Sequence, residues 1–398
     1  MEILVINSGS SSIKFKFFDM DKKICLASGV IEEIGSQNSK ARVEAGEFEK
    51  EITEPIKSHE DGIEVMYGLL KDSKTLENIN DIEGIGHRVV QGADYFDSAM
   101  LVDDSVLSKI EELCPLAPLH NPANLAGIKS CMHSAKTPNV AVFDTIFHQS
   151  MPREAYMYAL PYEFYEKYKV RKYGAHGTSH WFVSRKGAEF LGIPYEKFNA
   201  ITLHMGNGSS LCAVKNGKSI DTSMGLTPLE GLIMGTRCGS IDAAIIPYME
   251  RVAGISAQEM DNIMNKKSGL YGICGASDLR EIFAKMEQGD ERAKLAFEML
   301  IYSAIKFFGS YYAVLGHIDA IIFTGGIGEN APNFRKEVCK RLAHFGIAID
   351  EEKNAKREKN ARDLSTNGAT IKTLVVPTNE ELAIAELTAE VLKSKNLI

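Results

Sequence analysis

The chain has 398 residues, with 45 Lys+Arg against 53 Asp+Glu for a formal charge of −8, and it is 44% hydrophobic. At ~150 residues per domain this length holds two or three domains, and the ordinary globular composition excludes disorder as the main state. The acidic balance, without any basic block, speaks against nucleic acid or an acidic membrane as partner, and no apolar run is long enough for a membrane span.

From the N-terminus, the apolar run Ile3–Ile6, the turn Gly9–Ser12 and the alternating Ile13–Phe18 predict a strand hairpin, with a third strand over 24–31. With no basic n-region or h-region before it, this start is expected to be structure and not a signal peptide. Helical periodicity follows over 56–70 and 105–114. The apolar runs Val140–Phe143 and Ala320–Phe323 end abruptly in polar or Gly-rich residues, so strands alternate with helices in an α/β architecture. The opening pattern recurs halfway along the chain: Ile201–His204, then Met205-Gly206-Asn207-Gly208-Ser209-Ser210, then Leu211–Val214. Duplication is the simplest account and predicts two similar halves with a cleft between them. Seven cysteines (Cys25, Cys114, Cys131, Cys212, Cys238, Cys274, Cys339) without a CxxC pair are expected as reduced thiols of a cytoplasmic protein. The charged stretch over 351–362 is expected as a solvated helix or loop.

Three turns carry the strongest chemical signal. Asn7–Lys14, His204–Gly208 and Thr324–Asn330 expose backbone N–H groups where a phosphate can approach without a Cβ in the way, although each alone also fits a plain turn. The third runs into a helix with Pro332 in its first turn, an apolar stripe of Phe334, Val338 and Leu342, and Gly346 as its stop. Neither GxxxxGK[ST] nor the dinucleotide fingerprint is present. Arg88, His120, Asp144, His176 (before a helix capped by Thr178 or Ser179) and Arg237 sit in tight segments. Singly they also suit surface ion pairs, caps and turns. Together they suit phosphoryl transfer between two anions, where arginines neutralise both and an imidazole or N–H donor takes the charge of the transferred group. Mg²⁺ on oxygen ligands is expected. The residues themselves lead to a two-lobed phosphotransferase without naming the acceptor.

The motifs NSGSSSIKF from Asn7, GHRVV from Gly86, APLHNP from Ala117, VFDT from Val142, HGTSH from His176, HMGNGSS from His204, MGTRCGSID from Met234, FTGGIGEN from Phe323 and PTNEELAIA from Pro377 resemble, in order, those of the acetokinase family within the acetate and sugar kinase/Hsp70/actin superfamily. The resemblance implies an α/β, duplicated RNase-H-like (actin-like ATPase) two-domain fold with a central cleft. Its N-terminal lobe would be 1–146 plus 381–398, and its C-terminal nucleotide-binding lobe 147–380. It implies reversible transfer of the ATP γ-phosphate to acetate or another short-chain carboxylate, giving an acyl phosphate and ADP, in a cytoplasmic homodimer that binds neither nucleic acid nor membrane.

Carried over by motif, Arg88, Asp144, His176 and Arg237 would be catalytic. Arg88, Val90, Leu119, His120, Ala175 and Pro228 would hold the acid. Lys14, His204, Met205, Gly206, Asn207, Gly208, Asp278, Leu279, Arg280, Gly326, Ile327, Gly328, Glu329 and Asn330 would bind nucleotide. Asn7 and Glu380 would hold Mg²⁺, or Mn²⁺ in its place, with Ser10 and Ser12 near. Asn379-Glu380-Glu381-Leu382 is equally a sound helix start, an Asn cap with acids at the dipole.

The chain departs from the family pattern at Gln91 (usually His), Ala93 (Gly), Ala175 (Phe) and Ala243 (Pro). Ala175 implies a roomier acyl pocket, hence propionate or butyrate as alternative acids, unless Tyr173 or Trp181 refills it. A non-enzymatic alternative within the superfamily is an ATPase switch of the actin/Hsp70 kind.

Overall fold

The computed structural model describes residues 1–398, which fall into two compact units: Met1–Ile146 with Asn379–Ile398, and Phe147–Thr378. In the first unit, β1 (Glu2–Ser8), β2 (Ser12–Asp19), β3 (Ile24–Glu32), β4 (Ser39–Ala45), β5 (Phe48–Glu54), β6 (Gly84–Val89), β7 (Met100–Leu101) and β8 (Asn139–Phe143) form one sheet in the order β5-β4-β3-β2-β1-β6-β8-β7. The meander β1–β5 is antiparallel, whereas β1, β6 and β8 run parallel. Alternation along β1 sorts its side chains. Leu4 and Ile6 join the core under the helix His59–Asp72, and Ile3 and Val5 join the core under the helix Glu380–Ser394. The last helix lies close on β6, because a Cβ on Gly86 would stand 2.4 Å from Thr388 Oγ1.

The second unit repeats the plan. β9 (Ala200–Met205), β10 (Ser209–Lys215), β11 (Lys218–Thr222), β12 (Ala320–Thr324), β13 (Arg362–Asp363) and β14 (Lys372–Val375) take the order β11-β10-β9-β12-β14-β13. Here β9/β10/β11 are antiparallel and β9/β12/β14 parallel, so β11-β10-β9-β12-β14 matches β3-β2-β1-β6-β8 strand for strand in order and sense. This is the duplication that the recurring turn motif implied. A long helix, Glu291–Leu315, packs Ala304 and Phe308 into one core with Leu203 and Phe323. β8 and β12 are buried along their whole length, which is why they read as unbroken apolar runs.

Three expectations need correction. The final helix joins the first unit from Asn379 and not from 381, because Asn379 is its N-cap and accepts the Leu382 N–H. The Gly-Gly segment after β12 is helical over Gly325–Asn330, ahead of the helix Pro332–Arg341. The stretch over 351–362 is more than a solvated face: Asn354 and Arg362 are buried, and Asn354 receives the Arg335 guanidinium. No helix is long and apolar enough to cross a membrane.

Three imidazoles are buried in the neutral form. Desolvation pushes His87 and His148 down to about 4 and His180 well below its ordinary 6.5. Below pH 6.5 the unfolded chain binds protons that the folded chain refuses, so these groups favour the fold above that pH and oppose it as pH falls toward 4. The thermal midpoint is therefore expected to fall over this window, with a shallower slope in His87→Asn by about one proton. A midpoint flat from pH 7 to 4 would contradict it.

Candidate active site

In each unit the polar residues gather where parallel strands end, the usual place for ligands in α/β sheets because successive strands open there into loops. In the first unit Asn7 lies near the end of β1, Arg88 near the end of β6, and Asp144 directly after β8, its N–H bonded to Val89 O at 2.9 Å. Arg88 grips Asp144 side-on, Nε to both carboxylate oxygens at 3.0 and 3.1 Å and Nη2 to Oδ2 at 2.7 Å. Asp144 is 2% exposed, so this is no surface ion pair, and the adjacent carboxylate holds the guanidinium charged far above its usual range. Glu380, in the first turn of the last helix, is pushed up to about 7 by burial, opposed by Arg88 and reinforced by Asp144 and Glu381. Lys14 is exposed opposite Asn7 in the β1–β2 pair. Val90 is half-buried, whereas Leu119 and His120 are exposed on the loop before the helix Asn121–Ser134.

Sequence reasoning missed what sets these strand ends. Asn124 accepts the Val90 N–H at 3.1 Å and donates to Ser8 O at 2.8 Å, tying β1 to the segment after β6. Asn121 exchanges two bonds with the Gln91 backbone. The departures at 91 and 93 belong together. Ala93 adopts φ 48, a conformation that favours glycine, and the Gln91 side chain accepts its N–H at 2.9 Å.

In the second unit β9 ends at His204-Met205 and the β9–β10 turn is Gly206-Asn207-Gly208, closed by Gly206 N–H to Gly208 O at 3.1 Å. His176 precedes the helix Gly177–Leu191 with φ 57, and its Nδ1 lies 2.8 Å from Ser210 Oγ. Neither Thr178 nor Ser179 caps this helix. Both lie inside it, and Ser179 is engaged by His204 Nδ1 and Thr378 Oγ1, each at 2.8 Å. The His176 and His204 rings stack at 4.2 Å. A Cβ placed on Gly208 would lie 3.4 Å from both His176 Nε2 and Arg237 Nη1, so imidazole and guanidinium converge on a backbone kept bare. Arg237 has no carboxylate partner. Its Nη1 donates to Pro228 O at 3.1 Å, and desolvation pulls its affinity for the proton down.

Ala175 is buried against Met224 and Met234. Tyr173 donates to Lys169 O, and Trp181 lies under Arg185.

In the Gly325–Asn330 helix, Gly326 and Asn330 are exposed, Ile327 half-buried and Gly328 buried. Glu329 Oε1 accepts the N–H groups of Gly325 at 3.0 Å and Thr378 at 3.1 Å, so this carboxylate ties the start of this helix to the segment before the last one. Arg335, also unforeseen, is buried beneath it and donates to Gly328 O and Glu329 O. Asp278 caps the helix Leu279–Glu287 and pairs with Arg280 on the surface, while the Leu279 side chain enters the core. Ala243 is exposed ahead of the helix Ile245–Ala253.

A duplicated α/β fold that sets an arginine and an acid at the strand ends of one unit, and a glycine turn met by a histidine and a second arginine in the other, defines a phosphotransferase, an enzyme that handles two anions. The family model of the acetokinase family matches residues 2–386. Curated relatives include an acetate kinase of Campylobacter hominis, 58% identical over 99% of both chains, and one of Campylobacter concisus, 58% identical over 100% of both. Among solved structures, Porphyromonas gingivalis acetate kinase superposes with a TM-score of 0.94 at 40% identity, covering 98% of this chain and 99% of that one. A propionate kinase from Francisella tularensis superposes with 0.92 at 45% identity and the same coverage. The chain belongs to the acetokinase family.

Gly208→Ala is expected to leave the thermal midpoint unchanged while lowering kcat/KM for phosphoryl transfer by roughly tenfold or more, because its methyl occupies the point shared by His176 and Arg237. Wild-type turnover in a correctly folded Gly208→Ala enzyme would remove that point from the reaction path.

Proposed function

We propose that this enzyme phosphorylates acetate with ATP, reversibly, giving acetyl phosphate and ADP. One observation carries the reading: a partly desolvated Arg237 without a counter-ion converges with His176 on a bare glycine turn, an arrangement that asks for an anion. In the reaction an acetate oxygen forms a bond to the γ-phosphorus as the bond to the ADP oxygen breaks, so no proton need move. Arg88 holds the carboxylate, kept in its fork by Asp144. His176 Nε2 and Arg237 hold the transferring group, whose charge spreads over its outer oxygens. The C-terminal unit serves as the nucleotide lobe, since both glycine turns of β9 and β12 lie in it.

The chain offers no group of three or more acidic, His or Cys side chains placed to hold a metal. Mg²⁺, or Mn²⁺, takes one or two protein oxygens beside substrate phosphates, and Asn7 and Glu380 are the donors that would hold it. Burial opposes the Glu380 charge, which a cation beside it would stabilise. When bound, the ion would neutralise phosphate oxygens.

Acetate as the preferred acid rests on the acetate kinases at 58% identity. Ala175, and the likeness to a propionate kinase, favour propionate as a second acid. One methylene is worth about 10–200-fold in selectivity, so a graded preference is expected. Hydroxylamine trapping of the acyl phosphate, with kcat/KM for acetate, propionate and butyrate, tests both acids. Absence of hydroxamate from all three would return the chain to an ATPase switch. Arg88→Ala and Arg237→Ala are each expected to lose about 100-fold or more in kcat with the fold intact, and near-normal turnover would remove either residue from the site.

The partner is a second copy of the chain, in the cytoplasm where ATP is held. The helix Ile245–Ala253 buries none of its residues, and Ile245, Tyr248 and Val252 line one exposed apolar stripe at helical spacing, with Ile241 also exposed just before the helix. Sedimentation is expected to show a dimer that Tyr248→Glu with Val252→Asp converts to monomer. A wild-type monomer, or an unaffected dimer, would place the interface elsewhere or remove it.

A further inference from the structure

A chain of side-chain hydrogen bonds runs behind His176. Thr202 Oγ1 lies 2.6 Å from His180 Nδ1, His180 Nε2 lies 2.7 Å from Ser210 Oγ, and Ser210 Oγ lies 2.8 Å from His176 Nδ1. Thr202, His180 and Ser210 are each 0% exposed, so every proton in the chain must be received within the protein. Burial pushes His180 well below its ordinary range, so it is neutral and carries one ring proton.

The inventory allows two directions. If the His180 proton sits on Nδ1, it points at Thr202, and the Thr202 hydroxyl proton has no acceptor, since His180 is the one side-chain hydrogen-bond partner of that hydroxyl. A buried donor without an acceptor is the costly case. If the proton sits on Nε2, Thr202 donates to Nδ1, His180 donates to Ser210, and Ser210 donates to His176 Nδ1. Every proton is then received. We infer that Thr202, His180 and Ser210 form a directed relay that fixes His176 as the neutral tautomer, its proton on Nε2 toward the Gly208 turn. Ser210 and His180 are thus positioning residues.

Two further features agree with a neutral donor. His176 stands at the N-terminal, positive end of the helix Gly177–Leu191, and Arg237 Nη1 approaches the same point by Gly208 as its Nε2. A positive imidazole there would repel both. The backbone before His176 is held too: His148, its Nδ1 on Ser219 Oγ, has Nε2 3.1 Å from Ala175 O.

The inference rests on the assignment of His176 to the transferring phosphoryl group, and the experiment separates the two. In unliganded wild-type enzyme with ¹⁵N-labelled histidine, NMR is expected to show the His176 proton on Nε2 and a bare Nδ1, whatever the role of His176 in turnover. Ser210→Ala is expected to lower kcat roughly tenfold or more, with KM for ATP and acetate within about twofold and a mixed tautomer at His176, and Ser210→Thr is expected to restore both. A wild-type His176 protonated on Nδ1 would overturn the relay, as would unchanged kcat in Ser210→Ala. If Ser210→Ala fails to fold, the wild-type tautomer still decides. An active His176→Ala enzyme with the Nε2 proton present in wild type would instead retire the catalytic assignment and keep the relay.

Discussion

Parallel pairing of β1 with β6 and β8, and of β9 with β12 and β14, brings the ends of distant segments to one level within each unit. Every chemical feature of the molecule follows from that. The interiors of the parallel strands β1, β8 and β12 are buried and carry no acidic or basic side chain, so the charged groups collect where the ladder stops. There the chain puts Arg88 and Asp144 in one unit, and His204 and the glycine turns in the other. The pairing also sets the requirement for the residues behind them, because a polar group at a buried strand end must find a partner. Asn121, Asn124, Ser179, Ser210 and Arg335 supply those partners.

The two arginines illustrate opposite solutions to one problem. Arg88 is satisfied within the fold by a bidentate carboxylate, so it is rigid and fully charged. Arg237 has only a carbonyl and a thioether sulfur beside Nη1 and keeps its charge unanswered. The net charge of −8 therefore says little about the site, where the cations are few and individually held. A protein that binds small anions needs such local cations, whatever the sign of its surface as a whole.

Much of the fold was legible in the sequence, because its signals are local. Apolar runs gave β1, β3, β8 and β12, alternation gave β2, and the recurring Gly/Ser turn gave the duplication. The candidate site residues were proposed from the motifs and the tight, polar ends of apolar runs. What was not legible depends on contacts between segments far apart in the chain. Glycines are poor helix formers, so 325–330 read as a turn, and its helix is held by Arg335 below and by Glu329 reaching Thr378. Thr178 and Ser179 have the chemistry of caps, but Ser179 serves His204 instead. The charged stretch over 351–362 hid Asn354, whose partner Arg335 is on another helix. No spacing rule links Thr202, His180 and Ser210, which meet only once β9, β10 and a helix have packed.

The sheet of the first unit is closed on one face by the helix Glu380–Ser394, against which Ile3, Val5, Phe18, Val140 and Val142 are buried. During synthesis the strands of this unit leave the ribosome long before the helix that covers them, with the whole second unit made in between. The earliest-made half of the molecule thus carries an uncovered apolar surface through most of translation, the period when a nascent chain is most exposed to aggregation and to holding chaperones. The same helix carries Glu380, the acid proposed for the metal site, which therefore arrives only with the segment that completes the first core. A ribosome stalled before it would release a polypeptide with most of its sheet and none of its closure, a ready substrate for proteolysis.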